Sequence, residues 1–330
     1  MSGFIQHGGA LDRAIAQYGG VPEEWLDLST GINPRAYPVA DLPPTIWHNL
    51  PQEKDLNQCL EAARSYYTVP EMAGIVAAPG TQAIIQWLPH LWPGRDAVVV
   101  TPAYGEYDQV FRLAGRQVSK VGDVQTTNPV DKVVFLGNPN NPDGRIWRKD
   151  ECEKLLERGA CLVIDEAFGD VAAETSLTDL AAMDNVLILK SFGKFFGLAG
   201  VRLGIAIGQV ALVDRLRLLL GPWSVPGPAL VLGVSAFADE QWAIETRDWL
   251  SAKRHALELM LVDAGFDVVG GTDLFVTVAH SRAAAIHEGL ARQKILVRPF
   301  DYAPSWLRFG VPAGDAALAR LAKALGRSLY

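Results

Sequence analysis

The chain has 330 residues, 49% of them hydrophobic, with a net charge of -7 and a pI near 5.4. That length supplies a sizeable core and points to two domains, while the acidic balance argues against nucleic acid as a partner. No apolar run is long enough to span a bilayer, and Met1–His7 lacks the charged and apolar regions of a signal peptide, so a cytosolic protein without membrane contact is expected.

His7-Gly8-Gly9 precedes a predicted helix over 11–18, a short strand at 25–28 and the loop Ser29-Thr30-Gly31-Ile32-Asn33-Pro34. Prolines at 34, 38, 43 and 44 predict an extended arm rather than packed structure. Leu56, Leu60, Ala63 and Tyr67 fall at helical spacing and predict a helix over 52–67. A strand at 75–77 then leads into Ala78-Pro79-Gly80-Thr81-Gln82 and a helix whose buried stripe is Ile84, Ile85 and Leu88. A small-residue turn opening a helix is a ready anion site, because the first amide groups are unpaired and the dipole favours negative charge. Many such turns bind nothing, and the residues alone leave both readings open.

Strands at 97–100, 132–136, 161–164 and 186–189 alternate with helices at 104–114 and 148–157. Continuous Val/Ile/Leu runs between helices predict an α/β fold with a mostly parallel sheet covered on both faces. Ligands of such sheets bind beyond the carboxyl ends of the strands. Thr101–Tyr104, Asn138–Gly144, Asp165-Glu166 and Ser191–Lys194 all fall there. Cys59, Cys152 and Cys161 are not spaced for a metal, and Cys161, heading an apolar run, reads as a small core residue.

The Pro- and Gly-dense stretch Gly221–Pro228 marks a domain junction. Beyond it come a long helix over 241–264, strands at 267–269 and 274–278, and a helix over 283–292. Strands at 295–298 and 306–311 and a helix over 316–328 complete a smaller α+β module. The predicted organisation is an arm at 1–40, a large α/β domain at 41–226 and a small domain at 227–330. No G-x-G-x-x-G turn follows the first strand, which argues against a dinucleotide-binding module.

Ser191 to Gly204 reads S-x-x-K-x-x-G-x-x-G-x-R-x-G. Lys194 sits there among small and apolar residues, and burial disfavours the ammonium form of a lysine. A neutral amine condenses with an aldehyde, while a hydroxyl (Ser191) and a planar cation (Arg202) suit a phosphate. Asp165 ends an apolar strand, where it either caps a turn or faces a ring nitrogen. Arg308 lies inside the apolar strand Leu307–Val311 and Arg298 ends Ile295-Leu296-Val297. Arginine rarely enters such surroundings without an anionic partner.

The Ser191–Gly204 pattern resembles the lysine motif of the fold-type I enzymes that use pyridoxal 5'-phosphate, the aminotransferase class I and II group. The resemblance implies that Lys194 is the Schiff-base lysine and that Ser191, Arg202 and the Gly80-Thr81-Gln82 turn hold the cofactor phosphate. It implies that Asp165 faces the pyridine nitrogen, that Asn141 meets the phenolic oxygen and that Tyr104 stacks on the ring. Arg308 is then the clamp for a substrate carboxylate.

A narrower resemblance rests on His7-Gly8-Gly9, Asp27–Pro34, Pro222-Trp223-Ser224-Val225 and Asp165-Glu166-Ala167-Phe168. These are similar to segments of the threonine-phosphate decarboxylases of cobalamin synthesis, relatives of the histidinol-phosphate aminotransferases. That likeness implies a homodimeric lyase acting on L-threonine O-3-phosphate, whose phosphate meets Arg298 and the His7-Gly8 loop, with Asn33 a further substrate-binding residue. A histidinol-phosphate-type aminotransferase acting on a phosphorylated amino acid or amine is the alternative, because both activities use the same residues. Two positions depart from the wider pattern. Phe168 replaces a usual tyrosine, which suits the decarboxylase branch, and Asn49-Leu50-Pro51 replaces an Arg-Tyr-Pro step whose tyrosine reaches the neighbouring subunit's cofactor.

Overall fold

The computed structural model describes residues 8–328. The chain separates into two compact units, one of Ala36–Ala243 and one combining the chain up to Arg35 with that from Ile244 onward.

Helix α1 (Leu11–Tyr18) and strand β1 (Leu26–Asp27) come first. The larger unit then runs through α2 (Thr45–His48), α3 (Glu53–Tyr66), β2 (Ala73–Ala78), α4 (Thr81–Leu91), β3 (Ala97–Val100), α5 (Glu106–Leu113) and β4 (Val118–Val121). It continues with β5 (Val133–Gly137), α6 (Lys149–Glu157), β6 (Cys161–Glu166), β7 (Val186–Ser191), the single turn α7 (Phe192–Phe195), β8 (Gly204–Gln209), α8 (Val210–Leu220) and α9 (Gly227–Ala238). Most of α10 (Glu240–Asp263) belongs to the smaller unit, followed by β9 (Asp267–Thr272), β10 (Phe275–Ala279), α11 (Ala283–Arg292), β11 (Ile295–Leu296), β12 (Arg298–Pro299), β13 (Trp306–Gly310) and α12 (Asp315–Ser328).

The larger unit is built on a seven-stranded sheet in the order β2-β8-β7-β6-β5-β3-β4. Strands β3 to β7 run parallel, as their continuous apolar runs predict for strands buried on both faces. Ile84, Leu88, Phe111, Phe135, Val163 and Leu189 pack into one core cluster along the sheet. Two strands escaped the sequence reading. In β4 the polar Ser119 and Lys120 are exposed on an edge, and β8 (Gly-Ile-Ala-Ile-Gly-Gln) hides inside a glycine-rich motif.

Strand β8 matters for the site because it runs antiparallel to both β7 and β2. Two reversals bring the carboxyl end of β2 to the same edge as the carboxyl ends of the parallel strands. Ala78 pairs with Gly204, and Gly204 pairs with Ser191.

The stretch read as a domain junction instead opens α9, with Pro228 in the first turn, where a missing N–H costs nothing. Helix α9 packs closely on α3: a Cβ on Gly233 would lie 2.8 Å from the Cys59 sulfur. The unit boundary accordingly falls at Ala243 and Ile244, whereas the sequence reading put it after residue 226.

In the smaller unit, Ala14 of α1 packs with Trp25 and Ala291. Residues 8–35 are thus part of this unit, although the sequence reading set them apart as an arm reaching residue 40. Strands β12-β13-β10-β9 form an antiparallel sheet. The single strand expected over 295–298 is two strands. Ile295 and Leu296 pair in parallel with β1, and Arg298 and Pro299 pair antiparallel with β13.

Candidate active site

At the carboxyl edge of the large sheet, Gly80 stands just before α4 with φ of 87°, a conformation that favours glycine. Space makes the same demand: a Cβ there would lie 2.5 Å from Arg202 Nη2. A Cβ on Gly204 would lie 2.5 Å from the Thr81 amide nitrogen. The bare backbone thus lets the Arg202 guanidinium approach the amino end of α4, where unpaired amides and the helix dipole already favour an anion. Arg202 is held in a left-handed conformation and donates from Nη1 to the Ala199 carbonyl at 3.1 Å. Ser191 ends β7 beside Gly204, and half-buried Lys194 follows within α7. The Lys194 ammonium lies 5.2 Å from the centre of the Phe168 ring.

Asp165 is buried near the end of β6. Its Oδ1 accepts from the Ala167 amide at 2.9 Å and its Oδ2 from the Tyr107 hydroxyl. Burial raises the carboxyl above its ordinary range, and the Tyr107 hydrogen bond, the Ala167 amide and the Lys194 charge oppose that rise. Burial, followed by the Asp165 charge, pushes the Tyr107 phenol well above 10, so it remains a donor. Tyr107 is stacked on Phe135 at 4.7 Å and fixed by that packing.

Tyr104 donates to Gln82 Oε1 at 3.0 Å, and Gln82 Nε2 donates to the buried Glu106 at 2.8 Å. These bonds tie the loop after β3 to the first turn of α4. Asn140 ties the next loop to it, donating to the Pro102 carbonyl at 2.7 Å and to Asp143 at 2.6 Å. Asn141 follows, half-buried. One edge of the larger unit therefore gathers Gly80, Thr81, Gln82, Tyr104, Asn141, Asp165, Ser191, Lys194 and Arg202. This donor set fits a phosphorylated pyridine aldehyde: amides, hydroxyls and a guanidinium for the phosphate, a buried carboxylate for a ring nitrogen, and a primary amine for the aldehyde.

The smaller unit holds the predicted arginines. Arg298 and Arg308 face each other in register across β12 and β13. Arg308 is 2% exposed, lies 4.9 Å from the Phe275 ring centre and donates to the Ser29 carbonyl at 2.6 Å. Burial first, then the Arg298 charge, pulls its guanidinium down to about 9. Like charges directly opposite in a sheet repel, so the pair gains from a bound anion. Ser29 is itself braced, its hydroxyl donating to Asp27 at 2.6 Å and accepting from the Gly9 amide at 2.8 Å. Gly8, Ser29 and Arg298 join Arg13 and His287 around a cavity of about 180 Å³. Asn33 is buried, and its Oδ1 accepts from the Arg35 amide at 2.9 Å. His7 lies outside the described residues.

Sequence reasoning missed Tyr107 and Glu106. Both sit on the inward face of a short helix, and the only available signal was their helical spacing with Val110 and Phe111.

Comparison with known proteins points the same way. The description of the aminotransferase class I and II family matches residues 51–325. The chain is 41% identical to a threonine-phosphate decarboxylase of Sinorhizobium sp, covering 99% of both chains. It is 39% identical to a threonine-phosphate decarboxylase of Pseudomonas aeruginosa, covering 98% of this chain and 97% of that one. Among solved structures, the histidinol-phosphate aminotransferase of Sinorhizobium meliloti in complex with pyridoxal-5'-phosphate superposes with a TM-score of 0.81 at 18% identity, over 99% of this chain and 95% of that one. That last likeness establishes the fold-type I architecture expected from the lysine motif. On the extent of these matches, the chain belongs to the aminotransferase class I and II family.

Proposed function

We propose that the protein is a pyridoxal 5'-phosphate-dependent decarboxylase that converts L-threonine O-3-phosphate to (R)-1-amino-2-propanol phosphate and carbon dioxide in cobalamin synthesis. The observation that carries this reading is the facing pair Arg298 and Arg308, two fixed charges one strand apart, which suit a substrate with a carboxylate and a phosphate. Full-length likeness to two threonine-phosphate decarboxylases supports the same substrate.

When bound, the cofactor supplies an electron sink for the bond broken at the substrate's α-carbon. The amino end of α4, Ser191 and Arg202 hold its phosphate, while Asp165 keeps the ring nitrogen protonated. Asn141 bonds the phenolic oxygen, and Tyr104 packs on the ring. Arg308 grips the substrate carboxylate; Arg298, with His7 and Gly8, takes the phosphate, and Asn33 is a further substrate-binding residue. The Cα–carboxylate bond breaks, carbon dioxide leaves, and the Lys194 ammonium returns a proton to the α-carbon.

The enzyme acts as a cytosolic homodimer. Trp47, Leu50, Leu218 and Trp223 support the dimer, since they leave 66%, 58%, 83% and 62% of their surface exposed on the larger unit. Incubation with threonine phosphate and no keto acid tests the reaction. Release of carbon dioxide with aminopropanol phosphate is expected. Fast amino transfer from histidinol phosphate to 2-oxoglutarate, with no carbon dioxide, overturns it.

A further inference from the structure

Along β6 and β7 side chains alternate between the faces of the sheet, so Asp165 points to one side and Glu166 to the other. Glu166 is fully buried there, and donors surround its carboxylate. Oε1 accepts from Asn138 Nδ2 at 3.0 Å and from the Leu177 amide at 2.7 Å. Oε2 accepts from the Ser176 hydroxyl at 2.7 Å and from the Lys190 ammonium, its neighbour in register on β7. Lys190 is 3% exposed and also donates to the Ser176 oxygen at 2.9 Å.

A buried ion pair of this kind adds little net stability, because desolvating two charges offsets their attraction. Its location is the informative part. Asn138 begins the loop that carries Asn141, Glu166 adjoins Asp165, and Lys190 adjoins Ser191 at the entry to the Lys194 turn. Asn138 is bound on its other side too, accepting from the Trp147 amide at 2.9 Å, while its own amide donates to the Asp165 carbonyl at 2.8 Å.

We infer that Glu166 is a positioning residue: from the reverse side of the sheet its carboxylate clamps the carboxyl ends of β5, β6 and β7, and so sets where Asn141, Asp165 and Lys194 stand. The inference rests on the cofactor reading above. It assigns work to a residue that touches neither cofactor nor substrate. Small errors in such placement are costly, since a shift of about 1 Å loses roughly 100-fold in rate.

The test compares holoenzymes of wild type, Glu166→Gln, the charge-free double variant Glu166→Leu with Lys190→Met, and Ser176→Ala. Glutamine keeps the volume, but its amide group turns a donor toward one of two donor pairs and opens half of the clamp. The double variant removes both charges together and preserves packing. Ser176→Ala removes the hydroxyl, and with it the bonds to Glu166 and from Lys190, but leaves both charges in place, which keeps the test available if the others do not fold. Threonine-phosphate turnover and the circular dichroism of the visible cofactor band, per bound cofactor, are measured for each.

The expected result for the first two variants is kcat lower by about 10- to 100-fold, KM within about twofold and an altered visible dichroism. Ser176→Ala should lower kcat by several-fold, with a smaller spectral change. A purely structural clamp would lower the melting temperature and leave kcat and the dichroism of loaded enzyme as in wild type; that result overturns the inference alone. A wild type with no visible band and no carbon dioxide release defeats the proposed function and this inference with it.

Discussion

The two units handle buried charge in opposite ways. In the larger one, charges sit at strand ends and are balanced within the fold: Asp165 takes the Tyr107 hydroxyl and a backbone amide, and Glu166 takes Lys190. In the smaller one, Arg298 on the edge strand β12 stands opposite the buried Arg308 on β13, and burial together with the Arg298 charge lowers the Arg308 guanidinium. A balanced site is rigid before its ligand arrives, as a resident cofactor requires. On the function proposed above, an anion entering beside two like charges relieves their repulsion, which ties affinity and discrimination to the substrate.

Removing Lys194 is the harshest way to probe the balanced side. Lys194→Ala should lower turnover by about 1,000-fold or more, while thermal unfolding stays within a few degrees of wild type because Asp165 keeps its bonds from Tyr107 and the Ala167 amide. Undiminished activity would remove Lys194 from the chemistry. Arg308→Ala should raise KM for threonine phosphate about 10- to 100-fold, the loss of a charge-assisted bond worth roughly 1.5–3 kcal/mol. It should leave cofactor affinity unchanged; if cofactor binding weakens instead, the division of labour between the units is wrong.

A milder probe is Tyr107→Phe, which keeps the stacking on Phe135 and deletes the bond to Asp165. Cofactor dissociation should rise about fivefold, in line with about 1 kcal/mol for one hydrogen bond, and an unchanged constant would assign the tyrosine to packing alone.

The smallest effect expected is on pH. With the folded Arg308 guanidinium held down to about 9, below its unfolded value, the folded chain holds fewer protons between the two. Stability from this group therefore rises with pH across that window and falls as pH drops through about 9. Substrate affinity should move the other way, weakening a few-fold above pH 9 as the guanidinium loses its charge. Denaturant titration and KM measured at pH 8 and 10 separate the two trends, and parallel movement would contradict the buried-cation account.

Much of this was legible from residues. The Ser191–Gly204 spacing singled out Lys194 as the candidate, and the continuous runs around Val98, Val134, Val163 and Leu187 predicted the parallel strands. What stayed hidden has physical causes. The direction of β8 depends on which neighbours it pairs with, and Gly204-Ile205-Ala206-Ile207 reads equally as a loop or a strand. Val297 interrupts nothing in sequence, yet the chain changes partner there, from β1 to β13. Tyr107 looked like one more apolar position on α5, because its hydroxyl is committed to a partner fifty-eight residues away.

The make-up of the smaller unit also has a consequence for biosynthesis. Its first part, up to Arg35, emerges from the ribosome before all of Ala36–Ala243, and its second part emerges after. The intervening segment holds its whole sheet within itself and is free to fold while translation continues. Strand β1 must wait, since its partner Ile295-Leu296 is made only after the whole larger unit. The segment from Gly8 to Arg35 is therefore made before the larger unit and paired only after it, so a newborn molecule completes the turn that carries Lys194 before strands β12 and β13, which carry Arg298 and Arg308, exist.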